Sequence, residues 1–206
     1  MEEYAILGGG GLALELADLM LNEGKKICGY YSPYEYSLLN SLIPYLGDEK
    51  ENFNPNLKYL VASGLLPIRK KMIAFIESNN LQAGSFISSR AYVSSSATLG
   101  KGAVIFPFAV IDSFASCDAY ICLNFHALIG HNASLGNNVV ISPGARVNGN
   151  CKVGNNVSIG ANAALIQGTV LEDDVEIGIL TYPIRKVKRG SFIMSASGRF
   201  VPSKLD

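Results

Sequence analysis

The sequence predicts a small Rossmann-like α/β domain followed by a parallel β-helix, and two observations carry this prediction. The first is a period of six residues that runs without insertion or deletion from residue 87 to residue 177. The second is a run of glycines between a short apolar strand and a helix near the amino terminus. The 206 residues are also rich in turn formers, with 21 glycines. They therefore suffice for one or two soluble domains.

The period is carried by aliphatic side chains, and we call every sixth residue of this segment a core position. A helix repeats about every 3.6 residues and a strand about every two, so neither produces the pattern. A period of six is typical of a β-helix, in which each hexad is a short strand plus a turn. Three hexads form one triangular coil, so the core positions predict about five coils. They are aliphatic except for one cysteine: Ile87, Val93, Leu99, Ile105, Ile111, Cys117, Leu123, Ile129, Leu135, Ile141, Val147, Val153, Ile159, Leu165, Leu171 and Ile177.

Small and turn-forming residues flank the core positions. Alanines such as Ala103 and Ala109 stand two residues before a core position, where we expect them to fill the corner of the coil. The residue just after a core position is often Gly, Asn, Ser or Asp, as at Gly100, Asp112 and Asn124. We expect Gly and Asn at the turns because they tolerate a left-handed backbone.

Residues 1–83 predict the α/β domain, residues 84–178 the β-helix and residues 179–206 a carboxyl-terminal cap. Within the first domain, strands alternate with helices in the βαβ order of a parallel sheet. The second helix is predicted to turn Arg69, Lys70 and Lys71 towards solvent. The predicted strands are 4–7, 26–31 and 58–62, with a closing strand at 45–48, and the predicted helices are 12–23 and 67–79.

The glycine run, with Gly8, Gly10 and Gly11, stands between the first strand and the first helix. Such a turn lets the backbone approach a phosphate, with free N–H groups of the helix N-terminus directed at it. The complete GxGxxG pattern is absent, because Ala13 stands at the third glycine. The run therefore predicts a phosphate or nucleotide site, with a purely structural turn as the alternative.

Charge and cysteine content exclude several classes of function. The 17 basic and 17 acidic residues cancel, so nothing predicts general binding to nucleic acid or to an anionic membrane. The four cysteines have no CxxC or zinc-ligand spacing, and no metal site is predicted. Cys117 and Cys151 occupy inward positions of the repeat. With no signal peptide and no apolar run of membrane-spanning length, we expect a cytoplasmic protein with reduced cysteines.

Both histidines of the chain, His126 and His131, lie inside the repeat. An imidazole does not fit the narrow interior, so we expect both rings at the outer face. Histidine is suited to general-base catalysis near neutral pH, although a surface histidine is more often inert. A Ser-His-Asp nucleophile finds no support, since no G-x-S-x-G pattern is present.

The whole chain resembles the bacterial sugar O/N-acyltransferases, which include UDP-4-amino-sugar N-acetyltransferases and proteins similar to sialic-acid O-acetyltransferases. The most specific segment is 123–132 (LNFHALIGHN), followed by Leu135-Gly136, by ISPGA at 141–145 and by Gly149. It resembles the family pattern N-x-x-A-x-[IV]-x-H-[DE]-x-x-[IL]-G, then I-x-P-G-A and a glycine. His131 falls on the histidine of that pattern.

The resemblance implies a left-handed β-helix that forms a homotrimer, with acetyl-CoA as co-substrate in the groove between neighbouring β-helices. His131 would be the catalytic base, followed by Asn132. Small residues of the groove would accommodate the pantetheine arm. A nucleotide-linked amino sugar would bind the first domain. The implied groove residues are Gly149, Gly160, Ala161 and Gly178, and the implied substrate-binding residues are Gly8, Gly10, Gly11, Ser32 and His126.

The chain departs from the family pattern at several positions. Asn132 replaces the usual acidic residue, Leu12 replaces a histidine, and Ser32-Pro33 replaces an acidic pair. Residues 195–199 (SASGR) stand where G-N-P-A-[RK] is usual. The basic cluster at 185–189 is interpreted as a solvated cap, with contact to a coenzyme phosphate as the alternative.

Three functions follow from these observations, in this order. The first is transfer of an acetyl group to the amine of a nucleotide-linked 4-amino-deoxy sugar. The second is an O-acetyltransferase acting on a surface-polysaccharide sugar. The third is a trimeric binding protein that has lost the chemistry, which the replacement by Asn132 keeps open.

Overall fold

The computed structural model describes residues 2–183 and 185–194. Its first part is a three-layer α/β domain with a four-stranded parallel sheet in the order β2-β1-β3-β4. The predicted strands and helices are all present, within one or two residues of the predicted bounds. They are β1 (Glu3–Leu7), α1 (Gly11–Asn22), β2 (Lys26–Tyr31), α2 (Ser37–Asn40), β3 (Lys58–Val61), α3 (Leu66–Ser78) and β4 (Gln82–Ala83).

The alternating side chains of β1 and β3 explain the three layers. Ile6 and Leu60 pack with buried residues of α1, while Leu7 and Val61 pack with Ile76 of α3 on the other side. Both sides of the sheet are therefore apolar, as a parallel sheet covered by helices requires. The predicted closing strand at 45–48 is reduced to an extended segment, bridged to β2 between Tyr30 and Tyr45.

The second part of the chain is a parallel β-solenoid of short strands that follow one another at intervals of about six residues. The strands are β5 (Phe86–Ile87), β6 (Tyr92–Val93), β7 (Thr98–Leu99), β8 (Val104–Ile105), β9 (Val110–Ile111), β10 (Ser116–Cys117), β11 (Cys122–Leu123), β12 (Leu128–Ile129), β13 (Ser134–Leu135), β14 (Val139–Ile141), β15 (Arg146–Val147), β16 (Lys152–Val153), β17 (Val157–Ile159), β18 (Ala164–Leu165), β19 (Val170–Leu171), β20 (Glu176–Ile177), β21 (Lys186–Val187) and β22 (Phe192–Ile193).

Three parallel sheets form the sides of the solenoid, and we call them faces 1, 2 and 3 in the order in which the chain visits them. Consecutive strands of one face are 18 residues apart, as in Val104 to Cys122, so each coil contains three hexads. Corners 1–2, 2–3 and 3–1 are the turns between these faces. Face 1 contains β5, β8, β11, β14, β17, β20 and β22, face 2 contains β6, β9, β12, β15 and β18, and face 3 contains β7, β10, β13, β16, β19 and β21.

The solenoid is longer than the repeat predicted. The seven strands of face 1 make about six coils instead of the predicted five. Two strands of the last coil, β21 and β22, lie in the segment predicted as a cap. Leu171 pairs with Val187, 16 residues later, so the last coil is two residues shorter and the period is lost while the pairing continues. The motif at 195–199 lies outside the described residues.

The core positions fill the interior of the solenoid as predicted. The buried cluster contains every core position from Ile105 to Ile177, and the inward-facing alanines such as Ala109 and Ala145. At the open end of the solenoid Val93 and Leu99 are partly buried, whereas Ile87 is 45% exposed because no coil covers it. The predicted filling of the interior by apolar side chains, including Cys117 and Cys151, is therefore confirmed.

The predicted positions of the left-handed residues were wrong. Positive φ angles occur three residues after a core position and not one residue after it, as at His126 (57°), Asn132 (58°) and Asn138 (55°). Aromatic residues also take this conformation, as at Phe114 with a φ of 59°. Glycines just after a core position serve a different purpose: a Cβ on Gly100 would lie 2.7 Å from the Asp118 carbonyl carbon of the next coil.

The α/β domain packs against face 1. The outward side chains Val104, Cys122 and Val140 join the buried cluster that contains Leu16 and Met20 of α1. Arg69 of α3 also lies in this interface and is 1% exposed, so the prediction that it points to solvent was wrong. The periodicity of a helix shows which residues share a side but cannot show that a charged side faces another domain.

The direction of the α/β domain follows from its contacts with individual coils. Glu23, just after α1, accepts hydrogen bonds from Ser88 and Ser89 of the first coil. Near the start of α3, Lys70 forms an ion pair with Asp174 of a late coil, 2.9 Å apart. Both helices therefore run from late coils to early coils, and the antiparallel strands direct their carboxyl ends towards the late coils. In the described ranges, no helix is long and apolar enough to cross a membrane.

Candidate active site

His131 lies at corner 2–3, in the turn between β12 and β13, and its side chain is exposed. The turn is fixed by the backbone of neighbouring coils: the N–H of Asn132 donates to the Ser113 carbonyl at 3.0 Å, and the His131 carbonyl accepts from Asn150 at 2.9 Å. The left-handed φ of Asn132 lets the chain turn immediately after the histidine. A rigid coil thus presents the imidazole at the outer edge, as the sequence predicted.

Asn132 contacts the imidazole that precedes it. Its amide nitrogen lies 3.1 Å from Nδ1 of His131. In this orientation the amide donates to Nδ1, and the ring proton resides on Nε2. With the amide flipped, its oxygen would accept from Nδ1–H and Nε2 would be free to accept a proton. The amide orientation therefore decides which ring nitrogen can act as a base.

Gly149 lies one coil later on the same corner, directly beneath the imidazole. A Cβ built on Gly149 would be 2.4 Å from Nε2 and 2.6 Å from Cε1 of His131. Real Cβ atoms do not approach other atoms so closely, so any other residue would displace the ring. Of the predicted groove residues, Gly149 is the one that the structure brings together with His131.

Corner 2–3 continues from His131 towards the end of the solenoid as a line of small residues that ends in a basic one. Gly168 follows Gly149, with its N–H bonded to the Gly149 carbonyl at 3.0 Å and open space where a Cβ would be. Arg185 follows at the next coil, with a left-handed φ of 68° and an exposed side chain. Three coil steps of about 4.8 Å separate His131 from Arg185 by roughly 14 Å. This line offers an extended ligand an unobstructed path.

The other predicted groove residues lie at a different corner. Gly160, Ala161 and Gly178 follow strands of face 1 and therefore belong to corner 1–2. His126 is also at corner 1–2, where its ring stacks on Phe108 with centroids 5.1 Å apart and planes 12° apart. Within one chain the whole of face 2 separates these residues from His131. The structure does not bring the two predicted groups together in one chain.

The predicted phosphate-binding turn lies at the carboxyl end of β1. Gly8 has a φ of 118°, and a Cβ there would be 2.7 Å from the Ala62 carbonyl oxygen at the end of β3. Gly10 and Gly11 are exposed and open α1, with no atom within 4 Å of either Cβ position. The first turn of α1 contains no acidic residue, so its N-terminus is compatible with an anion.

Ser32 and an unpredicted tyrosine flank this turn. Ser32 is 3% exposed, and its Oγ accepts from the Tyr34 N–H at 3.4 Å. The ring of Tyr36 lies over Gly9, 2.1 Å from the place of a Cβ, so only glycine fits beneath it. Sequence reasoning missed Tyr36 as part of this edge; an aromatic residue shortly after a strand that adjoins a glycine turn was the available signal.

The cysteine thiols do not resemble reactive nucleophiles. Burial raises the pKa of Cys117 to about 12, and burial also raises the pKa of Cys122. All four cysteines are unpaired, as predicted. No group of three or more metal-ligating side chains exists among residues 2–183 and 185–194.

The α/β domain and His131 lie on opposite sides of the same solenoid. The domain covers face 1, with α1 contacting the first coils through Glu23 and α3 contacting corner 3–1 through Tyr120 and Asn138. His131 occupies the corner between the two remaining faces. A ligand held at Gly10 or Gly11 therefore cannot reach the imidazole of its own chain.

Comparison with known proteins agrees with this architecture. The family described as bacterial transferase hexapeptide (six repeats) matches residues 132–167. No curated protein matches the chain. Among solved structures, the acetyltransferase domain of PglB from Neisseria gonorrhoeae in complex with acetyl coenzyme A is similar over 94% of this chain and 96% of its own, with 25% identity and a TM-score of 0.87. The predicted resemblance to the bacterial sugar acyltransferases is confirmed.

Two further structures show the same sugar-acyltransferase fold. PerB from Caulobacter crescentus, in complex with CoA and GDP-perosamine, is 20% identical, with 96% of this chain and 95% of that chain covered and a TM-score of 0.83. WeeI from Acinetobacter baumannii is 15% identical, with 95% and 97% covered and a TM-score of 0.82. The likeness extends over both domains, so the α/β domain and the solenoid are combined here as they are in those proteins.

Proposed function

We propose that this protein transfers the acetyl group of acetyl-CoA to the amine of a nucleotide-linked 4-amino-deoxy sugar, with His131 as general base. The observation that carries the proposal is the exposed imidazole on a rigid corner, at the start of a line of small residues. The similar solved structures support the substrate classes, since PglB was solved with acetyl coenzyme A and PerB with CoA and GDP-perosamine.

The donor would lie along corner 2–3. Gly149 and Gly168 leave room for a pantetheine chain, and Arg185 stands roughly 14 Å from His131, near where a phosphate of such a ligand would end. Acetyl-CoA supplies an activated thioester. The protein supplies the position of that thioester and the base, and no covalent enzyme intermediate is needed.

The acceptor would bind at the carboxyl edge of the α/β sheet. In a parallel sheet, ligands bind beyond the carboxyl ends of strands, where the connections leave in opposite directions. Here α1 and α3 leave from β1 and β3 on opposite sides of the sheet. The open backbone at Gly10 and Gly11 is suited to the diphosphate of a nucleotide sugar, and this inference assigns a Rossmann-like role to the domain.

We infer a homotrimer of left-handed coils because one chain holds the parts of the site apart. The outward side chains of face 2 include Tyr92, Val110, Leu128 and Ala164, whereas those of face 3 include Thr98 and Ser116. Apolar face 2 is the side suited to a neighbouring solenoid. A neighbour packed there would place its corner 1–2 or its sugar domain against corner 2–3, so that Gly160 and Gly178 of one chain and His131 of another line one groove.

In this arrangement the amine attacks the thioester carbonyl while Nε2 of His131 accepts the proton that the nitrogen loses. The new bond joins nitrogen to the acetyl carbon, the bond from carbon to sulfur breaks, and the thiolate leaves and takes up a proton. A positioned base of this kind contributes about 10² to 10⁴ in rate. The amide of Asn132, oriented to accept from Nδ1–H, would hold the ring in the tautomer that this step requires.

A second candidate is a trimeric binding protein that retains the coenzyme groove without catalysis. The contact between Asn132 and Nδ1 favours it, because an amide that donates to Nδ1 leaves the proton on Nε2. We place either protein in the cytoplasm, in keeping with four unpaired cysteines.

The test measures thiol release from acetyl-CoA across UDP-, dTDP- and GDP-linked 4-amino sugars and matched 4-hydroxy sugars. Release with amines, lost in His131→Ala at unchanged coenzyme affinity, supports the proposal, and His126→Ala should have a smaller effect. Release with hydroxyl acceptors alone would indicate an O-acetyltransferase. Coenzyme binding without any release would indicate the binding protein.

A further inference from the structure

The most unusual charged group of the molecule is Arg69, which is buried at the junction of the two domains with 1% exposure. Its Nε donates to the Asn138 Oδ1 at 2.8 Å, and its Nη2 donates to the Tyr120 carbonyl at 2.7 Å. Its Nη1 donates to the Ser63 carbonyl at 3.1 Å. A guanidinium that crosses from a helix to both a solenoid corner and a loop connects three parts of the fold.

Arg69 has no carboxylate partner within the described residues. Burying a charge without an opposite charge is unfavourable, and burial accordingly lowers the pKa of the Arg69 guanidinium. An apolar side chain of similar length would fill the space without that cost. Its retention at this point is therefore better explained by what its planar fork of donors can orient than by stability.

The acceptors of Arg69 are themselves held rigidly. Asn138 has a left-handed φ of 55° and is 4% exposed, and its amide nitrogen donates onward to the Asn156 Oδ1 at 3.0 Å. Tyr120 also has a left-handed φ, of 63°, and its hydroxyl is bonded to Glu77. Both belong to corner 3–1 and cannot turn with a loose loop. The solenoid thus provides a fixed reference for the guanidinium.

The loop that Arg69 fixes borders the predicted acceptor site. Ser63 follows the end of β3, and Ala62 before it supports Gly8, whose Cβ position is 2.7 Å from the Ala62 carbonyl oxygen. The apolar contacts between the domains are not directional, so they favour docking without fixing an angle. Hydrogen bonds from the guanidinium fork are directional.

We propose that Arg69 is a positioning residue that holds the acceptor-binding edge of the α/β domain at a fixed orientation on the solenoid. This inference depends on the proposed function, because the orientation matters only if an acceptor on this edge must meet His131 of another chain. Misplacement of reacting groups by about 1 Å can cost about 100-fold in rate without a comparable loss of binding.

The test compares Arg69→Met, Arg69→Lys and Asn138→Gly, which keeps the left-handed turn, with Lys70→Ala as control. Lys70 lies on the same helix at the same interface, but its ion pair is exposed. We expect Arg69→Met to lower kcat by about 30-fold or more, with Arg69→Lys and Asn138→Gly intermediate. The KM for the acceptor and the affinity for acetyl-CoA should change less than about threefold, and Lys70→Ala should match the parent.

Hydrogen exchange provides a readout that does not need activity. Arg69→Met should accelerate exchange of the amides at 63–65 while those of α1 stay protected, and Arg69→Lys should partly restore protection. Unchanged kcat in folded Arg69→Met, or exchange that rises equally throughout the domain, would overturn the proposal. An inactive parent protein would refute the proposed function, and the exchange of residues 63–65 would still decide whether Arg69 fixes this loop.

Discussion

Gly149 offers the sharpest test of His131, because the two residues touch although they are 18 positions apart. In Gly149→Ala the added methyl group would stand 2.4 Å from Nε2 and 2.6 Å from Cε1 of the imidazole. Ordinary contact between such atoms begins near 3.4 Å, so the ring must move by about 1 Å. Because His131 is exposed, it can swing outward without disturbing the core.

The size of the effect follows from that displacement. A shift of about 1 Å in a catalytic group costs about 100-fold in rate, which corresponds to roughly 2.7 kcal/mol of barrier. The loss of stability should be below about 1 kcal/mol, because the φ of Gly149 lies outside the left-handed region and no backbone atom is among its nearest contacts. Activity and stability are therefore expected to separate.

The assay is thiol release from acetyl-CoA with a saturating amino-sugar acceptor, together with thermal unfolding of the same samples. Asn148→Ala, one residue earlier in the same turn, is the control, because it alters the turn without adding a methyl group beneath the ring. We expect Gly149→Ala to lose about 100-fold in kcat and Asn148→Ala to lose little. Full activity in Gly149→Ala would show that the position of the His131 ring does not limit the reaction and would remove it as the base.

Three further predictions concern other parts of the chain. Asn132→Asp should raise kcat/KM several-fold and move the acid limb of the pH–rate profile to higher pH, since a carboxylate stabilises the imidazolium of His131; an unchanged profile would contradict the contact at Nδ1. Phe114→Asn should raise the unfolding temperature by about 2–4 °C, because asparagine adopts the φ of 59° with less strain; a lower temperature would contradict this explanation. Backbone hydrogen bonding from Asn155 and the nearby Arg189 hold the pKa of Asp173 below its model value of 3.8. Its stabilisation is therefore present above about pH 4 and lost as pH falls further, so Asp173→Asn should lower the unfolding temperature at pH 7 and flatten its decline between pH 4 and 2.

The solenoid could be predicted almost completely because each coil repeats the same packing requirement. Every interior position from Ile105 to Ile177 must be apolar and narrow, and the chain cannot satisfy this requirement without writing it into the sequence. The end of the solenoid was harder, because two residues are missing from the last coil. The Val187 strand still pairs with β19, but a search by fixed period no longer finds it.

The turns and the domain interface were not readable in the same way. Backbone conformation at corners is imposed by pairing with coils above and below, so Phe114 and His126 adopt positive φ angles that their residue types do not favour. Arg69 looked like part of a solvated basic stretch because its neighbours Lys70 and Lys71 are basic. Its burial depends on Tyr120 and Asn138, more than 50 residues away, and no local pattern records that contact.

The same geometry explains why the candidate site was only partly visible in the sequence. His126 and His131 are five residues apart, yet a five-residue step carries the chain from corner 1–2 to corner 2–3, and the two rings face different surroundings. Gly149 is far from His131 in sequence, yet a full coil of 18 residues brings it directly beneath the ring. In a solenoid, residues one coil apart are neighbours and residues one hexad apart are not. A reacting site that needs two corners must therefore take them from two chains, which is the physical reason to expect that this protein acts as an assembly.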